Sequence, residues 1–140
     1  MPTTSRIVIN VTTDENQVPV AMEWTAEDGG VMNQPASAMT LSMWNAEEFA
    51  AMRMDLWTKE MSVEEMRSFV VQTIMTLADT YERSTSDKDH ANALRGFTEE
   101  FAKRIGVIES GGSGLIKPVG GGDEAKHLFS PLPRISAGHK

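Results

Sequence analysis

The chain has 140 residues, a formal net charge of −7 and no cysteine. This length suits one ordinary domain with a tail, and it is too short for two independent hydrophobic cores. The acidic balance, with no local Lys/Arg cluster, argues against a nucleic-acid interface, and the lack of cysteine excludes disulfides and thiolate metal sites. The N-terminus has no apolar signal-peptide core and no run is long enough to span a membrane, so the sequence predicts a soluble cytoplasmic protein.

Two alternating segments near the N-terminus predict a first β-hairpin. RIVINV and PVAMEW carry apolar residues at every second position, and the turn-forming TTDENQ separates them. Pro19 has no N–H for a ladder hydrogen bond, so it belongs at the start or edge of its strand. The segment from Ala26 to Ala38 contains adjacent glycines and a proline, and it is predicted to be a long loop.

The segments MTLSMW and MRMDLW predict a second hairpin with one unusual feature. Period-two alternation places their Met and Leu side chains on one face and leaves Trp44 and Trp57 on the otherwise polar face, at opposite ends of the hairpin. Exposed aromatic residues are good binding anchors. The predicted partner-binding set is therefore Trp44, Trp57, Arg53, Lys59 and Glu60. The alternative is that the loop or the helix ends cover both indoles.

The ten methionines are a high number for this length, and several of them flank the predicted sheet. Because they alternate along the strands as inward-facing residues should, they are interpreted as core. Flexible thioethers also line surfaces that accept varied apolar partners, which is the alternative.

The rest of the chain predicts two helices and a tail. A capping box, Ser62 followed by Glu65, predicts a helix from about Val63, and a second cap signal at Ser86 predicts another helix that ends at Gly106. The first apolar stripe consists of Met66, Phe69, Val70, Ile74, Leu77 and Tyr81. The second consists of Leu94, Phe97, Phe101 and Ile105.

Four strands followed by two helices predict an α+β domain over residues 1–108. The expected architecture is a four-stranded antiparallel sheet made of two hairpins, with both helices packed on one face. Residues 109–140, rich in Gly, Ser and Pro, are predicted to be a flexible tail, either native or an engineered extension. Its apolar residues around SPLPR have the character of a docking segment that binds in the same molecule: Leu128, Phe129, Leu132 and Ile135.

The sequence shows no arrangement for metal, cofactor or acid–base chemistry. The three histidines are scattered and form no HExxH pattern, and His90 is interpreted as a partly buried residue at the edge of the second stripe. A catalytic set of Asp79, Tyr81 and Arg83 is conceivable near the end of the first helix. An i, i+4 ion pair between Asp79 and Arg83, with Tyr81 in the stripe, explains these residues without catalysis. We therefore predict no catalytic residue, metal or cofactor.

Three segments resemble a known family: DENQVPVAMEWTAEDGG, MDLWTKEMSVEEM and ADTYERST. In order and spacing, over about residues 5–107, they are similar to the gliding motility-associated GldC proteins of Bacteroidota. The resemblance implies a cytoplasmic accessory role in surface gliding, a process linked to a secretion system that exports adhesins, and it carries over no catalytic residues.

The resulting hypothesis is a non-enzymatic adaptor or chaperone-like module that binds a protein or peptide, with the gliding and secretion machinery as a candidate partner. Two alternatives stay open. One is a small-molecule-binding or enzymatic domain with a Met- and Trp-lined cavity, and the other is a structural homodimer subunit.

Overall fold

A computed structural model describes residues 1–107. By backbone contacts the chain divides into a strand-rich unit, residues 1–62, and a helical unit that begins at residue 63. The first unit contains β1 Ile7–Thr13, β2 Pro19–Ala26, a 3-10 turn Glu27–Gly29, β3 Val31–Ala36, β4 Ala38–Asn45 and β5 Ala50–Trp57. The second contains α1 Val63–Thr85 and α2 Lys88–Ile105. The predicted α+β order, strands and then two helices, is confirmed.

The first three strands form an antiparallel sheet in the order β1, β2, β3. The predicted first hairpin is confirmed, and Ile9 lies opposite Trp24 across β1 and β2. Asp14 holds the turn between them, because its Oδ1 accepts hydrogen bonds from the N–H groups of Asn16 at 2.8 Å and Val18 at 3.0 Å. An Asp side chain that accepts hydrogen bonds from backbone N–H groups two to four residues later commonly stabilises a turn.

β3 occupies the segment predicted to be a long loop, so that prediction is wrong. Gly30 adopts φ 78° and closes the turn before the strand, and the N–H of Asn33, at φ 50°, bonds to Thr25 Oγ1 at 2.9 Å. Pro35 is compatible with this strand because β3 lies at the edge of its sheet, where one side needs no donor. Gly30 and Pro35 are typical of loops, and the sequence alone does not show that the segment around them is an edge strand.

β4 and β5 form a separate two-stranded sheet, so the prediction of one four-stranded sheet is also wrong. A single residue, Ser37, separates β3 from β4, and at this bend the chain leaves its pairing with β2 and pairs with β5 instead. Strands that bend and switch sheets in this way form corners. The segment after β5 closes the corner: Thr58 N–H donates to Ser37 O at 2.9 Å, and Lys59 N–H donates to Pro19 O at 3.1 Å.

The two helices pack against each other as an antiparallel hairpin. Arg67, near the start of α1, donates from Nη1 to the carbonyl of Ile105 at the end of α2, 3.3 Å away. The predicted helix end at Gly106 is confirmed: Gly106 adopts φ 84° and its N–H bonds Lys103 O, while Val107 N–H bonds Ala102 O. These two bonds form a Schellman motif, which satisfies carbonyls that the helix end leaves unpaired.

The buried face of the helical hairpin differs from the two predicted stripes. Leu77 and Phe97, both assigned to those stripes, are 55% and 66% exposed. The buried positions of the two helices are Val71, Met75, Ala78, Ala91, Thr98 and Ala102. Small residues bring helix backbones close together, and spacing alone does not show which of two apolar faces fills that role.

Two predictions about the fold are not tested by these observations. Packing of both helices on a sheet face stays a prediction. The tail and its predicted docking segment lie outside the described residues. Within residues 1–107, neither helix combines the length and apolar character that crossing a membrane requires.

Candidate functional site

The register of β4 and β5 places the two tryptophans as the sequence predicts. Trp44 lies opposite Ala51, and Trp57 lies opposite Ala38, six residues along β4 from Trp44. At about 3.3 Å per residue, the two indoles are attached about 20 Å apart along the hairpin. Directly opposed residues share a sheet face. We call this surface the aromatic face, and its polar pairs between the indoles are Thr40–Asp55 and Ser42–Arg53.

Both indoles are open to solvent, at 60% for Trp44 and 53% for Trp57. Within the strand-rich unit, the β2–β4 connection leaves both indoles uncovered. Arg53 is exposed between them on the same face. The structure therefore brings three of the five predicted site residues onto one surface.

A third aromatic residue, Phe49, belongs to this surface and was missed by sequence reasoning. Its ring meets that of Trp44 edge to face, with centroids 5.0 Å apart, and the residue is 82% exposed. Phe49 adopts φ 52°, a left-handed conformation that is unfavourable for a bulky side chain. A phenylalanine within the acidic turn NAEEFAA was the available signal. Backbone strain of this kind is concentrated at functional positions.

The opposite surface of the hairpin, the Met face, is formed by three directly opposed pairs: Met39–Leu56, Leu41–Met54 and Met43–Met52. It is half-buried at one end and opens toward the turn, where Met43 is 60% exposed, Met52 56% and Met54 50%. The interpretation of the strand methionines as core is wrong for these three residues. It is right for Met22, which is 4% exposed in β2.

The remaining two predicted site residues lie at the corner after β5. Lys59 Nζ pairs with Asp14 Oδ2 at 3.1 Å, so its side chain is directed to the β1–β2 turn. The hydrogen bond from the N–H of Val18, followed by that from Lys59, lowers the pKa of Asp14. Glu60 is exposed beside it. The ion pair with Asp14 gives Lys59 a structural role in holding the β1–β2 turn next to the end of β5.

The helical unit contains a polar cluster at the α1–α2 connection. Tyr81 Oη donates to Asp87 Oδ2 at 2.7 Å, and His90 Nδ1 lies 2.8 Å from the same oxygen. Asp87 is the N-cap of α2 and accepts from the N–H of His90 at 3.2 Å, so the cap lies one residue beyond the predicted Ser86. The hydrogen bonds from Tyr81 and then from His90 lower the pKa of Asp87, and Asp87 in turn raises the pKa values of Tyr81 and His90.

This cluster stabilises the start of α2, because Asp87 caps the helix and is held by Tyr81 and His90. The side chain of His90 is 78% exposed, so its interpretation as partly buried is wrong. Asp79 does not pair with Arg83 as predicted but with Arg95 of α2, at 2.6 Å. No three His, Asp or Glu side chains among the described residues converge in a way that could hold a metal ion.

The comparisons with known proteins identify a family. The model of gliding motility-associated GldC-like proteins matches residues 19–107, which run from β2 through the end of α2 and include the whole β4–β5 hairpin. No curated protein and no solved structure gives a significant match. The matched region is more than half of the chain and agrees with the resemblance seen in the sequence. The chain therefore belongs to the gliding motility-associated GldC-like family.

Proposed function

We propose that this protein is a non-enzymatic, cytoplasmic accessory factor of bacterial gliding that binds extended segments of partner polypeptides through its β4–β5 hairpin. Its role is that of an adaptor or chaperone-like module. One observation carries the proposal: three aromatic residues and three methionines, all at least half exposed, occupy opposite faces of the same hairpin. Isolated exposed apolar residues are ordinary, whereas a concentration of them typically marks an interaction surface.

The aromatic face supplies enough energy for weak, reversible binding. A Trp of about 250 Å² that is 60% exposed, as Trp44 is, buries about 150 Å² when fully covered. This burial contributes about 3–4 kcal/mol at 25 cal/mol per Å². Trp57 and Phe49 add similar amounts, and association costs at least about 4 kcal/mol. The surplus corresponds to dissociation constants of roughly micromolar to millimolar, which suits a factor that must release its partner.

The charge distribution selects the kind of segment that binds. Residues 1–107 carry 9 Lys/Arg and 17 Asp/Glu, a net charge of 9 − 17 = −8. Between the indoles the charges of Asp55 and Arg53 offset each other, while Glu47 and Glu48 in the turn beside Phe49 make that end of the hairpin acidic. Complementary charge steers encounter and disfavours the wrong partners. The favoured partner is therefore a basic segment with spaced apolar residues.

The Met face adds tolerance to different sequences. Unbranched thioether side chains adapt their shape to an apolar partner at low cost. Met43, Met52 and Met54 thus give the hairpin a second adaptable surface beside the fixed aromatic anchors. Two such faces support binding to several segments of one unfolded chain, which is the feature of a chaperone-like factor.

Binding can be measured by fluorescence anisotropy with a labelled, carbamidomethylated lysozyme, which is basic and stays unfolded. The Trp44→Ala/Trp57→Ala double variant should bind at least about tenfold more weakly, because the two indoles dominate the apolar area. Phe97→Ala is the matched control, since it removes a side chain that is 66% exposed on α2. Equal losses in both variants, or no loss in the double variant, would refute the assignment.

The biological role requires a second experiment, in a gliding bacterium whose own copy of this gene is deleted. Expression of Phe97→Ala should restore colony spreading, and the double tryptophan variant should not, at equal protein levels. If both variants restore spreading, gliding does not depend on the two tryptophans and the proposed role of the hairpin is refuted.

A further inference from the structure

Residues 125–140 are opposite in charge to the described part of the chain. Between residues 125 and 140 there is no acidic residue, while residues 1–107 carry a net charge of −8. The basic residues of this terminal segment are Lys126, Arg134 and Lys140, and its large apolar residues are Leu128, Phe129, Leu132 and Ile135. Opposite charge and spaced apolar side chains are the two properties expected of a bound polypeptide.

The spacing of the apolar residues matches the spacing of the indoles. Phe129 and Ile135 are six residues apart, with Pro131 and Pro133 between them. Alternate prolines favour a polyproline II backbone, in which six steps of about 3.1 Å cover about 19 Å. Trp44 and Trp57 are separated by six residue positions along β4, or about 20 Å. One extended segment with this spacing would place an apolar side chain at each indole.

The length of the connection supports docking within one molecule. Eighteen residues, 108 to 125, lie between the end of the described chain and Lys126. A Gly- and Ser-rich connection of this length has a root-mean-square span of about 23–25 Å and a maximum of about 60 Å. Tethering of this kind gives an effective concentration of about a millimolar, so even a weak contact is substantially occupied.

We propose that residues 126–136 dock on the aromatic face of the same molecule and compete there with partner polypeptides. The competition rests on the proposed function, whereas the docking does not. A segment with an intrinsic dissociation constant of about 0.1–1 mM, at a millimolar effective concentration, weakens partner binding by about two- to tenfold. A partner must displace the segment, so segments with poorer complementarity are excluded.

The absence of cysteine allows a direct test on the full chain, since Ala137→Cys introduces a single thiol for a nitroxide spin label. The reporters are the indole N–H resonances of the three tryptophans. The label should broaden the signals of Trp44 and Trp57 more than that of Trp24, which lies in β2. Replacing Phe129, Leu132 and Ile135 together by alanine should abolish this difference.

A matched control, Leu115→Ala with Val119→Ala, removes apolar residues from the connection and should leave the broadening intact. Equal broadening of all three indoles, or none, overturns the docking. A mixture tests for binding between copies: ¹⁵N-labelled chains without a nitroxide are combined with nitroxide-labelled chains of natural isotope content. Selective broadening in this mixture also overturns the docking, because the segment then binds a second copy.

The competition has its own measurement. The Phe129/Leu132/Ile135 triple alanine variant should bind carbamidomethylated lysozyme about two- to tenfold more tightly than the unmodified chain. If selective broadening occurs but lysozyme binds neither protein, the proposed function and the competition fail while the docking stands. If lysozyme binds and broadening is absent, only the docking inference fails.

Discussion

A pair of substitutions in α1 distinguishes the observed helix packing from the one that sequence periodicity suggests. Val71 is fully buried, at 0% exposure, whereas Leu77 is 55% exposed. The predicted stripe contains Leu77 and omits Val71, so it assigns the larger loss of stability to Leu77→Ala. The structure assigns it to Val71→Ala, although that change removes the smaller number of atoms.

The magnitude follows from burial. Val71→Ala removes the equivalent of two methylene groups, which costs about 1.6 kcal/mol in lost transfer free energy at 0.8 kcal/mol each. A cavity of about 50 Å³ that does not collapse adds about 1.2 kcal/mol. The free energy of unfolding should therefore fall by about 1.5–3 kcal/mol. Leu77→Ala should lower it by less than about 1 kcal/mol, because more than half of that residue already contacts water.

Urea unfolding followed by circular dichroism at the helical band measures both values, with the slope of the transition compared between variants to exclude changes in the unfolded state. The packing argument is refuted if Leu77→Ala is as destabilising as Val71→Ala, or more so.

Four further predictions concern single residues. Gly106→Ala should lower the unfolding free energy by about 1 kcal/mol because it forces φ 84° on a residue with a Cβ. Gly96→Ala, in open space within α2, should raise it by about 0.5–1 kcal/mol, and a loss in that control would contradict the helix assignment. His90→Gln should change the pH dependence of stability. Asp87 raises the pKa of His90 above its ordinary 6.5, so the protonated imidazole stabilises the fold below that pH, and this stabilisation is lost as the pH rises through the raised pKa. In the unmodified protein the urea midpoint should therefore fall as the pH rises between about 5 and 9, and in His90→Gln this fall should disappear. The same pH dependence in both proteins would contradict the prediction. Phe49→Asn relieves an unfavourable φ of 52° but also removes the ring contact with Trp44, so the free energy of unfolding should change by less than about 1 kcal/mol. Lysozyme binding should weaken. An equal loss of binding and stability would make Phe49 a structural residue.

The sequence predicted those features whose signals are local. Period-two alternation located both hairpins, and the capping box and Gly106 located a helix start and a helix end. The outward placement of Trp44 and Trp57 also followed from alternation alone, because a sheet face is fixed once the register is known.

The features that were missed depend on contacts between distant residues. β3 is a strand because β2 offers it a partner, and nothing in its Gly- and Pro-containing sequence reports that partner. The buried face of α1 was misassigned because Val71 and Ala78 compete with larger apolar residues for the same role. Only the neighbouring helix decides which face is covered. Phe49 was missed because a turn residue has no periodic pattern to mark it.

The Met face has a consequence for how the protein responds to oxidants. The three methionines near the hairpin turn are 50–60% exposed, and thioethers at this accessibility are readily converted to sulfoxides. A sulfoxide is polar, so oxidation turns an adaptable apolar surface into a hydrated one, and methionine sulfoxide reductases reverse the change. Because the chain has no cysteine, its sulfur chemistry is that of methionine, and these three side chains expose it to solvent. Oxidative stress would thus make the Met face polar in a reversible way and leave the aromatic face unchanged in polarity.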